Sequence, residues 1–137
     1  MKRGFTLIET IMGLFIFGLI VVTVIPITNG TINNLYKQKI KTQMIYTGEM
    51  VIERLKAYDL DTSSELFIYD VEISQLIEEF KGNDYIEIEF EKEEYELPLK
   101  IIKENKSDFL WSIKVIVYNK GGGRLDNVEF KAYLQKK

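Results

Sequence analysis

The sequence predicts an α+β protein: a long N-terminal helix, apolar enough in its first half to cross a membrane, packed on a small antiparallel β-sheet. Three observations predict this. From Phe5 to Ile27 the only ionisable side chain is Glu9, and most of the rest are Ile, Leu, Val, Phe and Met. From Ile32 to Tyr58 apolar residues recur at the spacing of one helix face. Beyond Tyr85 the period drops to two, as in strands with one buried side.

The apolar run comes first. At about 1.5 Å per residue it makes roughly 35 Å of helix, enough to cross a bilayer. Residues 5–30 are therefore read as the transmembrane half of the helix. Lys2 and Arg3 precede the run and favour an N-terminus held in the cytoplasm, with the bulk of the chain outside. Lys37, Lys39 and Lys41 lie beyond its far end and weigh against that orientation, but the adjacent pair decides. Three ordinary readings compete. A cleaved secretory signal should end in small residues, yet the first alanine is Ala57. A plain single-pass anchor gives no reason for Glu9, since a charged carboxylate near a helix end in lipid costs on the order of 2–3 kcal/mol. A buried core helix is disfavoured by Lys2 and Arg3 and by the length of the run.

Residues 31–58 are the amphipathic half of the same helix. Ile32, Leu35, Tyr36, Ile40, Met44, Val51, Ile52, Leu55 and Tyr58 form a stripe, interrupted around Tyr46, Thr47 and Gly48. That stripe needs a cover, which residues 59–137 must supply as a globular domain. Pro26, followed closely by Asn29-Gly30, marks a place where the helix is expected to bend or loosen, because proline donates no backbone N–H.

The polar segment Asp59–Glu65 ends the helix. Its aspartates lack the glycine and the oxygen spacing of a calcium loop, so a capping turn is the better reading. Ser74–Phe80 reads as a short helix capped by Ser74, followed by a turn over Lys81–Asp84. Strands are expected at Tyr85–Phe90, Glu96–Lys103, Leu110–Tyr118 and Val128–Leu134, with a hairpin turn over Lys120–Arg124. Four strands in succession predict a meander with one face on the helix stripe and one in water.

Composition narrows the chemistry. The chain has no cysteine and no histidine, which removes disulfides, thiol nucleophiles and the Ser-His-Asp arrangement. Charge is unevenly spread: the middle of the chain is strongly acidic, while the stretch from Ile101 onward carries an excess of Lys and Arg. An acidic middle argues against nucleic acid as a direct partner. The basic stretch is spaced like the solvent side of strands. Glu87, Glu89, Glu91, Glu93, Glu94 and Glu96 read as a solvated strand face and turn rather than a catalytic cleft, or as a salt-sensitive contact with the basic stretch of a neighbouring copy. Gly121–Gly123 lacks the Lys-Ser/Thr of a phosphate loop. No enzymatic activity, cofactor or metal is expected.

Lys2-Arg3-Gly4-Phe5-Thr6-Leu7-Ile8-Glu9 resembles the class III leader of type IV pilins and of the pseudopilins of type II secretion and competence systems. The resemblance covers residues 1–30 or so and combines a basic leader, Gly, Phe, an acid at a fixed offset and an immediate apolar helix. It implies that residues 1–4 are a leader peptide, removed between Gly4 and Phe5 by a prepilin peptidase that also methylates the new Phe5 amine. Glycine suits such a cut because it has no Cβ to obstruct a tight cleft. It further implies that Glu9, the fifth mature residue, pairs with the Phe5 amine of a neighbouring subunit and so sets assembly in register. Pro26 and Gly18 stand where pilins often loosen this helix on packing into a filament. The bulky Gly13–Phe17 segment leans toward a minor pilin or pseudopilin.

The expected function is thus a structural subunit of a pilus-like filament serving pilus assembly, protein secretion or DNA uptake. The expected partners are the prepilin peptidase, other pilin or pseudopilin subunits, an inner-membrane assembly platform with its ATPase, and membrane lipid before assembly. The alternative is a single-pass, membrane-anchored extracytoplasmic binding domain that does not assemble.

Overall fold

A computed structural model of the chain describes residues 6–58, 66–120 and 127–136. The elements are α1 (Leu7–Ala57), β1 (Phe67–Ile68), β2 (Val71–Glu72), α2 (Ile73–Gly82), β3 (Tyr85–Phe90), β4 (Leu99–Ser107), β5 (Leu110–Tyr118) and β6 (Asn127–Gln135). The protein is α+β, with a long N-terminal helix and a small antiparallel sheet. It divides into two compact units, Met1–Lys39 and Ile40–Lys137. The expected turn at Asp59–Glu65, and with it the calcium reading, lies outside the described residues, as does the expected hairpin turn Lys120–Arg124 beyond Lys120.

In the second unit β3-β4-β5-β6 form a meander, every neighbour antiparallel. The core face carries Phe90, Leu99, Ile101, Trp111, Ile113, Val115, Val117 and Leu134, with Met44, Val51, Ile52 and Leu55 of α1 and Ile73, Leu76, Ile77 and Phe80 of α2 in the same cluster. The opposite face carries Glu87, Glu89, Lys100, Lys114, Glu129 and Lys131, the polar half of the period-two pattern. Lys100 bridges Glu87 and Glu89, at 3.0 Å from the latter, and Lys114 meets Glu129 at 2.8 Å.

Several expectations need correction. Within the stripe, burial begins at Ile40; Ile32, Leu35 and Tyr36 ahead of it are each more than half exposed. The apparent break in the stripe at Gly48 is no break. Gly48 is buried, and a Cβ there would lie 2.2 Å from Cε2 of Phe130 on β6. Glycine holds that place because helix and ring meet without room for a side chain.

Ser74 does not cap α2. The N-cap is Glu72, which makes no side-chain cap bond; the Ile73 N–H instead donates to the Leu66 carbonyl at 2.9 Å. The reason is a hairpin that periodicity did not reveal, since β1 and β2 are two residues each. At its turn Tyr69 adopts φ 51°, a left-handed conformation costing a non-glycine residue about 1 kcal/mol. Tertiary contacts offset that cost. The Tyr69 ring stacks on Tyr95 with centroids 4.1 Å apart, and its hydroxyl donates to the Leu97 carbonyl. Asp70 beside it accepts from Lys92 and from the Tyr95 hydroxyl, each at 2.7 Å, and these two partners hold its carboxyl below the usual range.

The second strand of the meander begins at Leu99 rather than Glu96 and runs past Lys103 to Ser107. Pro98 has no N–H for the ladder, and its carbonyl accepts from Tyr118 as the pairing starts. Beyond Lys103 the pairing continues through Asn105 with Trp111 and, after an irregularity, Ser107 with Leu110.

Not every basic residue of the C-terminal stretch faces solvent. Lys103 lies on the core face, fully buried, with its ammonium 5.3 Å from the Trp111 ring centre and donating to the Asn83 carbonyl. Burial, with Lys136 adding to it, pushes this amine below its usual range, and Asp84 opposes them. In the unfolded chain the amine keeps its proton to higher pH. Between the folded and unfolded values the unfolded state therefore binds more protons, and stability rises with pH. Lys103→Met is expected to flatten that rise and to raise stability at neutral pH by on the order of 1–3 kcal/mol. Thermal unfolding followed by the fluorescence of Trp111, the single tryptophan, at neutral pH and at about pH 10 checks this. An unchanged slope would overturn it.

Candidate functional site

The residues singled out for processing and assembly lie at the start of the chain. Gly4 and Phe5, the expected cleavage and methylation positions, lie outside the described residues. Glu9 stands in the first turn of α1, and Gly18 and Pro26 lie inside the same helix.

At its N-terminus α1 closes on itself. The backbone N–H and the hydroxyl of Thr6 each donate to Oε2 of Glu9 at 2.8 Å, and the Glu9 N–H lies 3.4 Å from Thr6 Oγ1. This is the reciprocal capping box of a Thr-x-x-Glu sequence, which satisfies donors that a helix start otherwise leaves open. The residue missed by sequence reading is therefore Thr6. The spacing Thr6-Leu7-Ile8-Glu9 carries that signal, which the leader motif overlaps. A carboxylate has about four acceptor positions. Two hydrogen bonds to Thr6 leave Glu9 able to meet a further cation.

From Leu7 to Ile27 the helix presents large apolar side chains on every side: Phe15 is 67% exposed, Phe17 64% and Ile27 69%. None of its most apolar window is buried by the chain itself, and α1 is long and apolar enough to cross a membrane. At roughly 1.5–3 kcal/mol per large side chain, leaving this run in water would cost some tens of kcal/mol. Cover by lipid or by other protein would recover that free energy.

The polar groups inside the run are satisfied locally. Thr23 donates to the Leu19 carbonyl at 2.9 Å, Thr28 to Val24 at 2.9 Å and Thr31 to Ile27 at 2.9 Å. Such back-bonding removes the cost of an unpaired hydroxyl in lipid and is a known cause of helix bending. Pro26 supplies no N–H to the Val22 carbonyl, so α1 is short of one rung there. A Cβ placed on Gly13, Gly18 or Gly30 would meet nothing within 4 Å, so packing inside the chain does not require glycine at these positions.

In the second unit a cavity of about 200 Å³ opens between the C-terminal ends of α1 and α2 and the adjoining ends of β5 and β6. Leu55, Tyr58, Ile77, Trp111 and Leu134 form its walls, with Lys56 and Lys81 beside them. Compared with protein-family models, curated proteins and solved structures, the chain matches none.

Proposed function

We propose that this chain is a prepilin-like structural subunit, a minor pilin or pseudopilin, that inserts in the cytoplasmic membrane with its C-terminal domain outside and is cut after Gly4. The observation that carries the reading is the Gly4-Phe5-Thr6-Leu7-Ile8-Glu9 run opening directly into an exposed apolar helix. A tether needs the apolar helix only. It does not need a carboxylate in the first turn of that helix, where charge in lipid is costly. An assembling helix does, because a buried anion becomes tolerable when a neighbour brings a cation to it, and that requirement selects one register of docking. The α+β architecture agrees with this role.

On this reading the prepilin peptidase removes residues 1–4 and methylates Phe5. An inner-membrane platform driven by an ATPase then lifts the helix from lipid into a filament with other pilin or pseudopilin subunits. Shortage of a helix rung at Pro26, with Gly18 upstream, gives the segment a place to loosen during transfer. The test is intact mass of the protein made with and without a prepilin peptidase. Loss of residues 1–4 together with gain of one methyl group, only when the peptidase is present, is the expected result. A chain left uncut favours the alternative of an anchored extracytoplasmic binding domain, for which the cavity beside Trp111 is the natural binding place.

A further inference from the structure

The sheet ends on two unpaired edges, β3 and β6; among the described residues no strand adds to either. Edges of this kind offer a template for pairing with other chains, which bulges, prolines, covers or unmatched charges can block. Neither β3 nor β6 contains proline or glycine, and their pairing with β4 and β5 is regular throughout. Apart from Phe90 and Leu134, their core-facing residues are also less buried than those of the strands between them. Ile86 and Ile88 on β3, and Val128, Phe130 and Ala132 on β6, are only partly covered, whereas Ile101, Ile113, Val115 and Val117 are fully buried.

We infer that β3 of one copy pairs with β6 of a second copy, extending the sheet from domain to domain. The parity of the meander allows it. With four antiparallel strands, β3 and β6 run in opposite directions, so two copies in the same orientation meet edge to edge as an antiparallel pair. A membrane that inserts every copy with the same polarity supplies that orientation; in this the inference rests on the proposed insertion.

Register follows from the rows across the sheet. Glu87, Ile102, Lys114 and Lys131 are successive cross-strand partners. Continuing the row without a shift sets Glu87 of one copy opposite Lys131 of the next. The same register sets Tyr85 opposite Tyr133 on the solvent face, and Ile86, Ile88 and Phe90 opposite Ala132, Phe130 and Val128 on the core face. A shift of one residue would put every apolar side chain against the wrong face. The charges agree. On the β3 side one lysine, Lys100, serves both Glu87 and Glu89, leaving an excess negative charge. On the β6 side Lys114 has Glu129, and Lys131 has no carboxylate partner among the described residues, leaving an excess positive charge. Glu89 opposite Glu129 is the one unfavourable pair; Glu129 is paired with Lys114, and Glu89 shares Lys100 with Glu87. Because the contact joins two different surfaces, it repeats from copy to copy instead of closing a two-fold dimer.

The absence of cysteine makes the test direct. Within one chain Glu87 and Lys131 are three strand spacings apart, about 14 Å, too far for a disulfide. Glu87→Cys/Lys131→Cys in the full chain, in isolated membranes treated with a mild oxidant, is expected to give a ladder of dimers, trimers and higher species. Each single variant should stop at dimers. Glu104→Cys/Lys131→Cys, with one cysteine on an interior strand of the same face, should give no ladder. Membranes that hold the Glu87→Cys/Lys131→Cys protein yet show no ladder, or a ladder equally strong for the Glu104 control, would overturn the pairing. Protein missing from the membrane fraction would instead count against the proposed insertion, so the two failures are told apart.

Discussion

Glu9→Leu is expected to be cut after Gly4 as efficiently as the natural chain and to be lost from the sheared filament fraction. The carboxylate is the only charge between Phe5 and Ile27, and replacing it makes insertion cheaper by about 2–3 kcal/mol. A defect after the substitution therefore cannot come from poorer insertion. The capping box gives the carboxylate a second role, since it accepts two hydrogen bonds from Thr6. Glu9→Gln separates the two roles, because an amide oxygen still accepts from Thr6 and carries no charge. If pairing with a neighbour's Phe5 amine governs assembly, the glutamine variant is excluded from filaments like the leucine variant. If capping governs, glutamine assembles and leucine does not. Normal incorporation of both, measured by quantitative mass spectrometry of sheared material, would remove Glu9 from the mechanism.

The largest expected effect on stability is at Gly48. A Cβ here would stand 2.2 and 2.4 Å from Cε2 and Cδ2 of Phe130, so any side chain must drive the ring aside. Gly48→Leu improves helix propensity by nearly 1 kcal/mol. Overpacking nevertheless outweighs that gain, and a net loss of about 2–3 kcal/mol is expected. For a unit of this size each kcal/mol lowers the midpoint by about 4–8 °C. Phe130→Ala in the same chain opens the space and should restore most of the loss, although alone it destabilises by removing a ring packed against the core. Gly82→Ala is the control, because a Cβ there meets nothing within 4 Å. Thermal unfolding of the four variants decides; additive effects of Gly48→Leu and Phe130→Ala would refute the contact.

What the sequence by itself determined is whatever rests on local pattern. The apolar run in a long N-terminal helix and the strands at Tyr85–Phe90 and Leu110–Tyr118 appear where period and composition put them, because alternation and helix spacing are properties of neighbouring residues. The Thr6 cap was equally legible from spacing alone. Only the tertiary structure decided the rest. Gly48 interrupts the apolar pattern in sequence, and only its contact with Phe130, 82 positions later, accounts for it. Lys103 looked like a solvated strand residue, yet its stem lies in the core and its ammonium reaches Asn83. The two-residue strands around Tyr69 are too short to show a period; they exist because Tyr95, Leu97 and Lys92 hold the turn from far along the chain. In each case the deciding partner is distant in sequence, and a local window holds no record of it.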